Sequence, residues 1–565
     1  MIVRFGAWEL DMERATLRKS GIAVRLREQA IRVLIALVER PGELVTREEL
    51  RERLWTHGTF VDFEAGLNTA ISRLREVLDD PAASPHYIGT VPKRGYRFIG
   101  PVARQYSLAV MPFLNRTQDH EADYLCDGLT EELIRACWRI AEIRVAGQAT
   151  VSRFRRQTYD LVGAARELGV DFILEGSIDG IGDRIRISVH LVSGKDGLEI
   201  LGEQFDGALP DAFAMRDRVT NRIAGVLESR LTAAIPGDRP ENSEAYTAYL
   251  KGHFLIKRHN PVNSAKALQY FDNAIEADPG YALSYHGAAI VYILDTLEGI
   301  LTPRDGMARA ERLLEKGLAI QKDSAMLQNT LAMLRMFQCK WKESEEAYRR
   351  AIDLEPSNPH PHMMFALHHS FCGRHEEARR EARTALNLDP VDPMMNFRVV
   401  QTAYYARRYD DAIQSAHTAI DLAPEFHPPR LFLAFALLAA GREEEAWRAA
   451  QKSREMSWRL PFYEGQFGYM AGKLGHAAET INVIEDLTAR RERGYAPALP
   501  IAWAWLGLND LDSCRLWLET AIQEQEPYLA AAAVSPIYDP LRSGPAFKRL
   551  LTQLGMKQVN AGIGP

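Results

Sequence analysis

The chain has 565 residues, too many for one hydrophobic core, and its length predicts roughly three to four domains. Its 46% hydrophobic and 25% charged residues are typical of a soluble globular protein, and the longest apolar run, Leu431 to Ala440, falls short of the roughly 18 residues a membrane span needs. The net charge of −6 hides an asymmetry: residues 1–104 carry 17 Lys and Arg against 14 Asp and Glu, a net of +3, which leaves −9 for the rest and confines any nucleic-acid signal to the head.

The five cysteines, Cys126, Cys137, Cys339, Cys372 and Cys514, form no C-x-x-C pair, so neither a disulfide framework nor a zinc site is expected. The N-terminal MIVRFGAWELDMER lacks an apolar signal core. A cytoplasmic protein without membrane contact is the expectation.

In the head, β-type runs at 2–5, 9–11, 15–18 and 23–26 predict a small antiparallel sheet. Ile31, Leu34, Ile35 and Val38 share one face of a helix over 27–40 that Pro41-Gly42 ends. Thr46 and Glu49 form a capping box for a helix running to about Trp55, and a loop through His57, Gly58 and Asp62 follows. Over 63–78, Leu67, Ile71, Leu74 and Leu78 recur at helical spacing, while Asn68, Thr69, Ser72, Arg73 and Arg75 fall on other faces. Asp79, Asp80 and Pro81 stop this helix. Two short β-prone runs, 87–91 and 96–99, are joined by Pro92-Lys93-Arg94-Gly95. A polar-faced helix beside a basic-tipped hairpin suits duplex DNA, whose major groove admits one helix and whose phosphates attract Arg and Lys. An ordinary amphipathic helix beside an ordinary hairpin is the plainer alternative.

Sheet, three helices and terminal hairpin, in this order, resemble the winged-helix domain of OmpR/PhoB-type and CadC-like transcription regulators. The residues that carry the resemblance are Glu48 to Trp55 in loosened form, L-N-T-A-I-S-R-L-R at Leu67 to Arg75, and G-T-V-P-K-R-G-Y-R-F at Gly89 to Phe98. The resemblance implies that Asn68, Thr69 and Ser72 face the groove and that Arg73 and Arg75 reach bases or phosphates. Lys93, Arg94 and Arg97 would then enter a minor groove or grip the backbone. Tyr96 and Phe98 are expected to pack the wing onto the domain, and Trp55 to be mainly core with an indole N–H near a phosphate. OmpR/PhoB-type proteins usually carry a receiver domain ahead of this one, and CadC-like proteins a membrane helix behind it. Neither is expected here.

In the middle, 101–106 reads as a linker. Strands are expected at 107–113, 143–145, 172–178, 184–192 and 198–205, and helices at 127–139, 161–168 and 211–231, an α+β or α/β module. The strings S-L-A-V-M-P-F, D-G-L-T-E-E-L-I and A-R-E-L-G-V-D-F-I-L-E-G-S resemble the TolB-like module of bacterial regulators. Gly180-Ile181-Gly182 and Gly194-Lys195 lack the setting of a dinucleotide loop or P-loop and read as hairpin turns. Glu131 and Glu132 read as an acidic first helical turn rather than as a general base.

In the tail, A-I-D-L-E-P at 351–356 recurs at 385–390 and 419–424 with a step of 34 residues, and an earlier copy stands at 274–279. Small residues recur at Ser344, Ala378, Ala412 and Ala446, where helices must approach closely. This resembles tetratricopeptide repeats, about seven or eight helix pairs from residue 243, with the helix near 539–551 capping the stack. Phe365, Phe397, Tyr404, Tyr405, Phe432 and Phe435 lie on the first helices, mostly as core with a minority facing the groove. His360, His362, His368, His369 and His375 are read as helix-surface residues rather than a metal site.

The reading is a multidomain α+β chain: a winged helix-turn-helix over 1–103, a TolB-like α/β module over 104–235 and an all-α repeat solenoid over 240–565. It is a transcription regulator, not an enzyme, with no cofactor and no metal. The partners implied are double-stranded DNA, a protein or peptide in the repeat groove, RNA polymerase, and a second copy on DNA. The rival reading is an interaction scaffold whose head docks proteins.

Overall fold

The computed structural model describes residues 2–12, 15–19, 22–54, 63–117, 123–140, 142–155, 159–181, 184–208, 212–226, 242–256 and 261–556. Trp55 and the loop through His57, Gly58 and Asp62 lie outside them, as does all of 227–241, which includes the end of the helix expected to reach 231.

Alternating side chains decide the head's first layer. Val3 and Phe5 on β1 (Ile2–Phe5), Trp8 and Leu10 on β2 (Trp8–Asp11) and Leu17 on β3 (Thr16–Lys19) all turn inward, and β4 (Ile22–Val24) completes the antiparallel order. They pack on α1 (Glu28–Glu39) through Ile31, Leu34 and Val38. A two-residue strand β5 (Val45–Thr46) leads into α2 (Arg47–Leu54). Thr46 N–H donates to Glu49 (2.7 Å) and Glu49 N–H to Thr46 Oγ1 (3.2 Å), so the capping box forms. The helix α3 (Phe63–Leu78) buries Leu67, Ala70, Ile71, Leu74 and Leu78. It ends at Asp79 with φ +55°, after which β6 (Ile88–Val91) and β7 (Gly95–Phe98) form the wing. β7 also pairs with β5, so the wing is a three-stranded sheet rather than a bare hairpin.

The expected linker at 101–106 is instead the start of β8 (Ala103–Val110), where Ala103, Arg104 and Gln105 pair antiparallel with Arg4, Val3 and Ile2. The partner strand lies about a hundred residues away, so no local pattern announces the pairing. One sheet therefore runs through head and middle. Behind β8 come β9 (Leu114–Asn115), α4 (Asp123–Trp138), β10 (Ile143–Val145), α5 (Gln148–Ser152), α6 (Leu161–Leu168), β11 (Phe172–Ile181), β12 (Arg184–Ser193), β13 (Glu199–Ala208) and α7 (Ala212–Val226). The order across the sheet is β13-β12-β11-β8-β1-β2-β3-β4, with β10 and β11 parallel to β8. Gly194-Lys195 lies in the turn between antiparallel β12 and β13, whereas Gly180 and Ile181 belong to β11, with Ile181 opposite Arg184 of β12, and Gly182 lies outside the described residues.

The α4 helix begins four residues before the expected Asp127, so Glu131 and Glu132 are not its first turn. Glu132 is buried in mid-helix, 3.3 Å from the equally buried Arg135.

Eight antiparallel helix pairs follow among the described residues. They are α8 (Ser243–Ile256) with α9 (Pro261–Ala277), α10 (Ala282–Leu297) with α11 (Pro303–Ile320), α12 (Ala325–Phe337) with α13 (Trp341–Leu354), and α14 (Pro359–Phe371) with α15 (His375–Leu388). Then come α16 (Pro393–Tyr405) with α17 (Tyr409–Leu422), α18 (Pro428–Ala439) with α19 (Glu443–Met456), α20 (Pro461–Lys473) with α21 (Ala477–Arg493), and α22 (Ala498–Gly507) with α23 (Leu511–Gln523). Ser344, Ala378, Ala412 and Ala446 are all fully buried, where their small size lets paired helices meet.

Two expectations fail here. His368 and His369 are buried, not on the surface: His368 Nδ1 lies 3.0 Å from Ser344 Oγ, and desolvation lowers its pKa to about 3. Nor does the C-terminal segment cap the stack. Two 3-10 turns, Pro527–Ala531 and Pro536–Leu541, run inside the superhelix, and α24 (Pro545–Gln553) folds back toward the third pair, where Trp341 Nε1 donates to Leu554 C=O (3.0 Å). The segment is too apolar for an exposed edge: Leu529, Val534, Ile537, Tyr538 and Leu541 are all buried. Tyr528 stacks on Phe462 of α20 (4.0 Å) and meets Phe337 of α12 edge-on (5.8 Å), so it joins early and late pairs.

The middle sits on the turns between the third and fourth and between the fourth and fifth pairs. Gly147 N–H (2.7 Å) and Thr150 Oγ1 (2.9 Å) at the start of α5 donate to the buried carboxylate of Asp389, and Ser357 Oγ donates to Ile140 C=O (3.1 Å). Among the described residues no helix is long and apolar enough to cross a membrane.

Candidate nucleic-acid interface

Helical spacing puts Asn68, Ser72 and Arg75 on one stripe of α3 and Thr69, Arg73 and Glu76 on the next. The first stripe meets the wing at both ends. Tyr96 OH on β7 donates to Asn68 Oδ1 (3.2 Å), and Arg75 Nη2 donates to Ile88 C=O (3.0 Å) and Thr90 Oγ1 (2.8 Å) on β6. Ser72 lies between these two ties and is exposed, as are Asn68, Thr69 and Arg73. Thr69 Oγ1 returns to Ala65 C=O (2.7 Å), and Arg73 pairs with Glu76 one turn on (2.6 Å).

Arg75 thus differs from the other cations expected to reach DNA. It is half-buried, and its guanidinium joins helix to wing.

The wing tip is set by backbone geometry. Arg94 N–H closes a turn on Val91 C=O (3.0 Å), with Pro92 at the second position and Lys93 at the third. Lys93 has φ +62°, the left-handed region that type II turns require at that position. Gly95 follows at φ +159°, and a Cβ there would stand 2.1 Å from Val45 C=O, so only glycine lets β7 lie against β5. Lys93, Arg94 and Arg97 are exposed, while Tyr96 and Phe98 are core. Behind the wing, the carboxylate of buried Asp80 accepts backbone N–H from His86, Tyr87 (3.0 Å) and Ile88 (2.8 Å), tying the end of α3 to the start of β6.

Arg47 was not anticipated from sequence. Its guanidinium lies 5.4 Å from the Tyr96 ring centre and donates to Glu64, Asn68 Oδ1 (3.4 Å) and Tyr96 OH (3.1 Å), so it orders the start of α3 against β7. As the first residue of a capped helix it carried no recognition pattern. Beside it, Glu49 has its pKa lowered to about 2 by the Thr46 N–H and then by Arg40. The exposed surface offers the amide of Asn68 and the hydroxyls of Thr69 and Ser72 beside the cations Arg73, Lys93, Arg94 and Arg97. Among the described residues no cluster of His, Cys, Asp and Glu could hold a metal ion.

Two family models match the chain. Residues 21–98 match "Transcriptional regulatory protein, C terminal", and residues 104–222 match "HilA/YgeH-like transcriptional regulator, second domain". The middle thus matches the second domain of a HilA/YgeH-like regulator. A putative adenylate cyclase 3 of Rhizobium meliloti is 30% identical over 43% of this chain and 42% of its own length. The transcriptional regulator HilA of Salmonella paratyphi A is 22% identical over 62% of this chain and 64% of its own. The transcriptional activator CadC of Escherichia coli is 32% identical over 18% of this chain and 20% of its own. The chain thus spans less than two thirds of each of these relatives. The head is thus similar to transcriptional regulatory protein C-terminal domains, and the segment behind it to HilA/YgeH-like second domains.

Proposed function

We propose that the chain is a sequence-specific DNA-binding transcriptional regulator in the cytoplasm, not an enzyme. Its head (1–103) reads DNA, while a second domain (104–235) and a repeat domain (240–565) receive a signal or a protein partner. The observation that carries the reading is the exposed Asn68–Ser72 stripe, tied at both ends to a wing whose tip presents Lys93, Arg94 and Arg97. Asn68, Thr69 and Ser72 discriminate between base pairs in the major groove, and Arg73 takes a phosphate once released from Glu76. Lys93, Arg94 and Arg97 bind the neighbouring backbone or minor groove. Arg75 acts from behind, by holding the wing. One head makes a small interface, so tight binding calls for a second copy on DNA, and a promoter-bound copy is positioned to touch RNA polymerase.

Fluorescence anisotropy with duplex DNA over a salt series tests this. Arg94→Ala should weaken binding to all sequences alike and lower the salt slope by about one unit, whereas Asn68→Ala should change the preferred sequence. Unaltered salt dependence in Arg94→Ala would sink the wing assignment. No salt-dependent duplex binding by the full chain would favour the scaffold reading.

A further inference from the structure

Asn68 is exposed on α3, yet its side-chain amide is not free to turn. Arg47 Nη2 donates to Asn68 Oδ1 (3.4 Å), and Tyr96 OH donates to the same oxygen (3.2 Å). Arg47 Nη2 also donates to Tyr96 OH (3.1 Å), which turns the tyrosine's own proton toward Asn68. The start of α2, the α3 helix and the wing strand β7 thus converge on one amide. Arg47 is itself held, because its Nη1 meets the carboxylate of Glu64 one turn before Asn68 and its guanidinium lies over the Tyr96 ring (5.4 Å).

The chemistry of these partners decides which amide atom faces them. A guanidinium carries N–H donors and no acceptor, so the atom it meets is the oxygen and not the nitrogen. Two donors fill the two lone pairs of Oδ1, and the Nδ2 amino group is left on the other side of the amide. Among the described residues no acceptor pairs with that Nδ2. Asn68 therefore offers DNA two N–H donors and no acceptor. In the major groove guanine presents N7 and O6, both acceptors, and thymine presents O4, whereas adenine and cytosine present amino groups that need an acceptor. Asparagine ordinarily grips adenine with both amide atoms, donating to N7 and accepting from N6. Arg47 and Tyr96 close that option, because they occupy the oxygen and leave an amino group to face an amino group.

We propose that Arg47 and Tyr96 are positioning residues that set the base specificity of Asn68: they restrict it to an oxygen-bearing base edge, guanine before thymine, and exclude adenine and cytosine. Guanine ranks first because it places two acceptors side by side. The inference rests on α3 being the helix that enters the major groove, and it names the base that Asn68 reads there.

The test is selection of sites by the full chain from a randomised duplex library, with the parent beside Asn68→Ala, which identifies the base position that depends on Asn68. The parent should enrich guanine or thymine there, and Asn68→Ala should lose that preference while keeping the parent's salt slope. Where guanine is selected, its 7-deaza form, which lacks the N7 acceptor, should weaken the parent roughly threefold to tenfold and leave Asn68→Ala unaffected. Asn68→Asp, which presents an acceptor in place of the donors, should move the preference to cytosine or adenine. Arg47→Met combined with Tyr96→Phe frees the amide to turn and should admit adenine at the same position, a change in base preference that a purely structural role for the pair would not produce. If that double variant fails to fold, the parent, Asn68→Ala and Asn68→Asp still decide the matter. Adenine or cytosine at the Asn68-dependent position overturns the proposal, as does an unchanged preference in the folded double variant or a selected site in which no position depends on Asn68. Each of these leaves DNA reading by the head intact, whereas a library with no enriched sequence overturns that reading and the proposal together.

Discussion

Arg75 and Arg94 are cations of the same small domain, yet their surroundings give them different work. Arg94 stands exposed at a turn, and removing its charge should change the salt dependence of DNA binding. Arg75 donates to a strand carbonyl and a threonine hydroxyl, so Arg75→Ala should cost about 1–3 kcal/mol. It should also speed hydrogen exchange along β6 while moving the salt slope less than Arg94→Ala does. Equal effects of the two variants on slope, with β6 protection intact, would show that Arg75 is not the tie described. Asp80 is a stronger case of the same kind. Asp80→Ala leaves the N–H groups of His86, Tyr87 and Ile88 without their shared acceptor and should cost on the order of 2–4 kcal/mol of head stability, read by denaturant unfolding. Helical periodicity made the faces of α3 legible, because Leu67, Ile71, Leu74 and Leu78 fall on one stripe. It could not show that Arg75 turns back to the wing or that Arg47 stacks on Tyr96, since both contacts depend on β-strands distant in sequence.

Whole elements were legible wherever their signal is local. The 34-residue step and the small residues Ser344, Ala378, Ala412 and Ala446 marked the helix pairs, and those residues are the ones fully buried between helices. The junctions were not legible. Residues 101–106 looked like a linker because a strand that pairs with β1 needs no pattern of its own. Asp389 looked like one more member of an A-L-N-L-D-P repeat, yet its carboxylate receives the start of α5 from the middle domain. Burial, and then the neighbouring Asp392, raise the Asp389 pKa well above the usual carboxylate range. Folding therefore increases proton uptake at this site, and the stability it contributes is fully present below about pH 4 and is lost as pH rises toward neutrality. Glu526, with a pKa raised to about 7 by burial, acts in the same direction. Asp389→Asn should flatten the fall in stability across this window without abolishing it, because Glu526 remains. Urea unfolding of parent and variant at intervals from pH 4 to 7.5 would read the difference, and identical pH profiles would show that the Asp389 seam does not titrate on unfolding.

At the scale of the whole molecule, an open repeat array and this chain should respond differently to loss of the C-terminus. In an open array each pair contacts only its neighbours, so removing the last residues weakens the last pair and little else. Here the segment after α23 reaches α12 through Tyr528, α22 through the Trp503–Tyr538 hydrogen bond (2.9 Å) and the turn after α16 through Arg407 and Asp539. Its buried Leu529, Val534, Ile537, Tyr538 and Leu541 each contribute roughly 1.5–3 kcal/mol of apolar burial, an upper bound that still exceeds the worth of a single surface pair. The repeats thus form a closed body around their own chain, and stability that is additive in an open array becomes shared among distant pairs. Truncation after Gln525 should therefore lower hydrogen-exchange protection in α10 and α12, some two hundred residues from the cut, as well as in α22. Protection lost only in α20 to α23 would mean that the segment is a local appendage and that the superhelix stands without it.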